Sequence, residues 1–253
     1  DPSVKYDDDG SLWMTFGSWF GGLWALKLDA STGLRDYTTT YETAKDETDQ
    51  YYGIKIAGGH GNSGEGSYIM KQGDYWYLFV SYGALQQQGG YQIREFRSKN
   101  ITGPYVDEDG NNAVSTETIG SNWTLKTGIR LMGSVEWSGN DNANIEVAQG
   151  HNSAFVDEDG TAYVVYHTRF SNRNEEHEVR VRELLTTADG WLVAAPYEYT
   201  GVKANAKGYQ ESQLTGEYEF VVHDPTTFFQ GSNGTAKDGK YPYKGVDEPI
   251  TIK

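Results

Sequence analysis

Apolar and aromatic positions fall in short blocks, each entered through an acidic, glycine-bearing turn. Leu12-Trp13-Met14-Thr15-Phe16 follows Asp7-Asp8-Asp9-Gly10, and Tyr75-Trp76-Tyr77-Leu78-Phe79-Val80 follows Gly73-Asp74. Ala162-Tyr163-Val164-Val165-Tyr166 follows Asp157-Glu158-Asp159-Gly160. Blocks of this length, rich in aromatic and β-branched residues and bounded by Asp/Gly turns, predict β-strands joined by hairpins. Gln92-Ile93-Arg94-Glu95-Phe96 and Glu178-Val179-Arg180-Val181-Arg182 add further strands, and no long helical period stands out.

The blocks repeat. Asp1-Pro2-Ser3-Val4, Glu65-Gly66-Ser67-Tyr68 and His151-Asn152-Ser153-Ala154 each place an ionisable residue two positions before a serine. A turn glycine follows each at Gly10, Gly73 and Gly160, and then an aromatic-rich strand. A repeat of this size suits the four-stranded blade of a β-propeller. The innermost strand of each blade lines the central channel. Asp1, Glu65 and His151 share one register, so they are expected to meet at one axial site from three blades.

Beyond about Gly201 the pattern changes. Ala204-Asn205-Ala206-Lys207-Gly208 reads as a linker, Tyr218-Glu219-Phe220-Val221-Val222 as a strand, and residues 230–243 as a Gly-, Lys-, Asp- and Asn-rich tail. The expected division is a propeller part over 1–203 and the start of a second β domain over 204–253. The latter is too short to bury much core by itself.

Composition narrows the classes. The net charge of −15 disfavours nucleic acid and anionic lipid as partners and suits a neutral ligand, a cationic one or calcium. The absence of cysteine removes disulfides and thiolate metal sites. No apolar run approaches the ~20 residues of a membrane helix. The loops Asp107-Glu108-Asp109-Gly110 and Asp157-Glu158-Asp159-Gly160 lack the later glutamate of an EF-hand and read as hairpin turns.

Four blocks in order resemble the family 43 glycoside hydrolases, and the arabinanases among them. They are Asp1-Pro2-Ser3-Val4 with Gly17-Ser18-Trp19-Phe20-Gly21-Gly22, and Glu65-Gly66-Ser67-Tyr68-Ile69 with Phe79-Val80-Ser81-Tyr82-Gly83. Then come Gln149-Gly150-His151-Asn152-Ser153 with His167-Thr168-Arg169, and His177-Glu178-Val179-Arg180-Val181. The resemblance implies a five-bladed propeller, about three blades of it in this chain, that hydrolyses α-1,5-linked L-arabinan with inversion. It implies Glu65 as proton donor, Asp1 as the carboxylate that tunes and orients it, and His151 at a hydrated calcium ion on the axis. It also implies a base Asp upstream of Asp1, so the chain is expected to be a fragment completed by an N-terminal segment. A secreted, cell-surface or periplasmic protein of bacterial type is expected.

Other readings stand beside these. An exo-acting arabinofuranosidase or β-xylosidase fits the same blocks, and without a base the chain would be a glycan-binding propeller fragment. Trp19 and Phe20 suit a sugar platform or core packing. Ser18 could donate to a sugar hydroxyl, and Gly21 lets backbone approach a ligand. Arg169 could reach the sugar or pair with a carboxylate, and His151 could be a hydrogen-bonded core histidine. His60 could line the groove.

Overall fold

The computed structural model describes residues 1–118, 126–138, 145–205, 207–221 and 249–252. Three antiparallel sheets follow one another along the chain. The first has the order β1-β2-β3-β5-β4, from β1 (Ser3–Tyr6), β2 (Leu12–Gly17), β3 (Leu23–Leu28), β4 (Thr48–Asp49) and β5 (Gly53–Ala57). The second is β6 (Glu65–Gln72), β7 (Tyr75–Tyr82), β8 (Gln92–Ser98) and β9 (Ile129–Met132), in sequence order. The third is β10 (Glu146–Val156), β11 (Ala162–Phe170), β12 (His177–Thr186) and β13 (Leu192–Ala194), again in sequence order. The second and third are four-stranded meanders, the form of a propeller blade, and the first is a blade whose outer edge carries the two-residue strand β4.

The middle blade explains why its strands read as nearly unbroken apolar runs. In β7, Trp76, Leu78, Val80 and Tyr82 pack into a core shared with Leu23, Ala25 and Ile56 of the first blade. The alternate residues Tyr77 and Phe79 pack with Ala162, Val164 and Tyr166 of the third. Successive side chains point to opposite faces, so a strand sandwiched between two blades must be apolar on both. The acidic turns behave as expected: Gly10, Gly110 and Gly160 each donate a backbone N–H to the carbonyl of Asp7, Asp107 and Asp157.

Past the third blade lie a single helical turn, α1 (Glu211–Leu214), and a two-stranded sheet of β14 (Tyr218–Phe220) and β15 (Ile250–Ile252). The Ser138 amide donates to the Glu219 carboxylate (2.9 Å), tying this sheet to the loop after β9. The expected strand there is shorter than its apolar pattern: it ends at Phe220, and Val222 and the tail 230–243 lie outside the described residues.

Candidate active site

The innermost strands β6 and β10 are bulged where the ionisable residues sit. The β6–β7 register slips between Glu65 and Tyr68, and the β10–β11 register slips on both sides of Gly150. A bulge re-aims the side chains around it. Gly66, at φ +61, makes the first slip possible, and a Cβ there would press to 3.2 Å on the His151 ring. His151 itself takes φ 47, and its amide is held by the Ser81 hydroxyl (2.8 Å).

The three residues of shared register do meet. His151 Nε2 lies 2.8 Å from Asp1 Oδ2, and its Nδ1 lies 3.6 Å from Glu65 Oε1. Tyr91, just before β8, completes the chain: its hydroxyl donates to Glu65 Oε1 (2.6 Å) and contacts His151 Nδ1. Asp1 and Glu65 are therefore joined through His151 and Tyr91 rather than side by side. One hydroxyl proton cannot serve both neighbours. When it goes to Glu65, Nδ1 must carry the proton that reaches the phenol oxygen. When it goes to Nδ1, Glu65 must donate from Oε1. Burial, then the Glu65 hydrogen bond and charge, push the Tyr91 phenol far above its ordinary range, so it remains a donor.

The other Glu65 oxygen, Oε2, accepts from Trp19 Nε1 (2.9 Å) and lies 3.5 Å from Ser18 Oγ. These come from the short 3-10 turn Trp19–Gly21 after β2. The turn is pinned to the segment before Glu65: Trp19 N–H donates to Gly64 O (2.7 Å), and Gly61 N–H donates to Phe20 O (3.0 Å). Phe20 is 82% exposed, which rules out core packing for it and leaves its ring open to a ligand. Gly21 is exposed beside it.

Arg169 is directed to Glu175 (3.4 Å). His60 is held by Asp46 (2.8 Å), which also takes Lys55 (3.0 Å). Across from Gly150, His167 is kept neutral near pH 7: burial, then the charges of Arg169, His177 and His151, lower its pKa to about 4. Tyr91 is a site residue outside the repeat, and Ser81 lies within its Ser81-Tyr82-Gly83 block with no role assigned. With 19 tyrosines in the chain, one at a strand start carries no signal of its own.

Among the described residues no group of three or more His, Asp or Glu side chains is arranged to hold a metal ion. Asp1 Oδ2 and His151 Nε2 engage each other at 2.8 Å, with side chains 55% and 36% exposed. A calcium ion prefers six to eight oxygens. To hold an ion, the Asp1–His151 bond would have to open, and water would have to supply most of the shell.

The chain is similar over its length to known proteins. It is 40% identical over 233 residues to an extracellular endo-alpha-(1->5)-L-arabinanase of Thermotoga petrophila, covering 88% of this chain and 46% of that protein. It is 39% identical over 232 residues to extracellular endo-alpha-(1->5)-L-arabinanase 2 of Bacillus subtilis, covering 88% and 47%. The crystal structure of the Thermotoga petrophila endo-1,5-alpha-L-arabinanase superposes with a TM-score of 0.82 at 35% identity, over all of this chain and 51% of that one. The chain thus spans about half the length of the curated relatives it matches. The model of the glycosyl hydrolases family 43 matches residues 1–192, which takes in the first two blades, the third as far as the start of β13, and every residue of the Asp1–His151–Tyr91–Glu65 cluster, and the chain belongs to that family.

Proposed function

We propose that this chain carries the acid side of an inverting hydrolase of α-1,5-linked L-arabinan. The observation that carries the reading is the separate binding of the two Glu65 oxygens, Oε1 by Tyr91 and Oε2 by Trp19, beside the open Phe20 ring. In the reaction Glu65 gives its proton to the glycosidic oxygen as the carbon–oxygen bond breaks, and the bonding pair goes to that oxygen. A water attacks the anomeric carbon from the opposite face and gives its proton to a second carboxylate, ~6.5–9.5 Å from the acid in such enzymes. Asp1 is engaged with His151. We assign the base to a carboxylate outside the Asp1–His151–Tyr91–Glu65 cluster; the chain matches 46% and 47% of the two relatives' lengths. Phe20 offers an apolar face to a furanose ring, and Ser18 a hydroxyl.

Three further assignments accompany this reading. A hydrated calcium ion at Asp1 and His151 would supply positive charge at the axis; metal analysis of the protein purified in calcium, and loss of melting temperature with chelator, check it. An extracellular location is assigned from the two relatives, both extracellular arabinanases, and no helix among the described residues is long and apolar enough to cross a membrane. The division near residue 204 is supported by β14 and β15 forming a sheet of their own, and limited proteolysis there would separate the two parts.

The test is Glu65→Gln in the whole protein that carries this chain. Hydrolysis of linear arabinan, read as new reducing ends, should fall by about 10²–10⁴-fold. The first-formed anomer, read by NMR, should be β. Retained activity in the variant, or an α anomer formed first, would overturn the assignment.

A further inference from the structure

A carboxylic acid that must protonate a leaving group has two oxygens and a broad terminal torsion. Something has to decide which oxygen carries the proton and where it points. Tyr91 is placed to do this. It is 1% exposed, and its hydroxyl donates to Glu65 Oε1 at 2.6 Å. Its ring stacks on the His151 imidazole at 6.1 Å. The bulged strand β10 has made room for that ring: a Cβ on Gly150 would stand 1.8 Å from Tyr91 Cε1. A proton on Oε1 would point into this enclosed Tyr91–His151 side. Oε2 instead faces Trp19 and the exposed Ser18.

We propose that Tyr91 is the positioning residue for the acid: by occupying Oε1 it fixes the plane of the Glu65 carboxyl and leaves Oε2 as the oxygen that delivers the proton. The assignment rests on the reading of Glu65 as general acid and adds a second strand, β8's entry, to the elements that build the site. Tyr91 touches neither substrate nor bond. Its effect is confined to the step in which a proton is delivered.

That confinement separates it from a structural role. An alkoxide leaving group needs the proton, whereas a dinitrophenolate leaves without it. Tyr91→Phe is compared with wild type in the whole protein on linear arabinan and on a dinitrophenyl α-1,5-arabino-oligosaccharide, with the fold monitored by circular dichroism. A misplaced catalytic group costs about 100-fold. On arabinan kcat should fall by about that factor with KM within about twofold, while the activated substrate loses less than about threefold. Equal losses on both substrates, or no loss on arabinan, overturn the assignment. So does a variant that fails to fold, which would make the hydroxyl a structural group. A wild-type protein that cleaves neither substrate sinks the hydrolase reading itself, and this is known before any variant is compared.

Discussion

The Trp19 indole N–H donates to Glu65 Oε2 at 2.9 Å, a contact between the turn after β2 and the first residue of β6, in neighbouring blades. Trp19 takes φ 46 to make it, a conformation that costs an L-residue with a bulky side chain and persists only when its surroundings enforce it. The enforcement is visible in the Trp19 N–H to Gly64 O bond. A hydrogen bond to a charged or ionisable group contributes about 1.5–3 kcal/mol. Trp19→Phe should therefore lower kcat/KM on arabinan by about 10–100-fold. The melting temperature should move by only a few degrees.

The repeat made Asp1, Glu65 and His151 legible because phase along an innermost strand is a property of one strand at a time. The alternation within β7 was legible for the same reason, as were the hairpin turns at Asp7, Asp107 and Asp157. Tyr91 was not, since it reaches Glu65 from the start of the third strand of the blade, and that placement depends on how far β8 is offset against β7. The mode of contact between Asp1 and Glu65 was likewise hidden. Two carboxylates in register suggest direct repulsion, whereas in the fold an imidazole and a phenol stand between them. Short strands such as β9 and β13 carry too few residues for periodicity to register.

Gly150 is constrained by contact with a buried ring, whereas Gly160 is constrained by its backbone alone. A Cβ at Gly150 meets Tyr91 at 1.8 Å, while at Gly160, φ +85, nothing lies within 4 Å. Overpacking a buried site costs about 1–3 kcal/mol, and the Tyr91 ring has no solvent to yield into. Gly150→Ala should thus lower both stability and arabinan cleavage. Gly160→Ala should cost about 1–3 kcal/mol from backbone strain with activity per folded molecule unchanged. Chemical denaturation and initial rates on the two variants distinguish the cases.

Glu146, Tyr166 and Arg182 form a buried polar knot in the third blade. Arg182 donates to Glu146 Oε2 (2.9 Å) and to the Tyr166 oxygen (2.8 Å), and Tyr166 donates to Glu146 (2.7 Å). Removing one partner of such a pair strands the other charge and costs about 3–5 kcal/mol, whereas replacing both by apolar groups of like volume is close to neutral. Arg182→Met should therefore be strongly destabilising, and in a Tyr166→Phe background, where no buried hydroxyl is left unpaired, Arg182→Met combined with Glu146→Leu should recover most of the loss. A double-mutant cycle by urea denaturation measures the recovery.

Glu95 provides a stability switch of opposite sense to an ordinary surface carboxylate. It lies on β8 with no exposure, and its Oε1 accepts the Leu192 amide at 3.2 Å. Burial pushes its carboxyl well above the usual range, against smaller lowering effects of the Leu192 hydrogen bond and the Arg97 charge. The native state therefore holds this proton at pH values where the unfolded chain has released it. Stability changes with pH in proportion to the protons bound by the unfolded state minus those bound by the native state. For Glu95 that difference is negative above the unfolded carboxyl pKa of 4.5, so its contribution is fully present below 4.5 and is lost as pH rises toward its folded value. Glu95→Gln keeps a neutral group of similar shape and removes the titration. The melting temperature of the variant relative to wild type should rise as the pH is raised from 4.5 through neutrality. A constant difference across that range would show that Glu95 titrates in the native protein as it does in the unfolded chain.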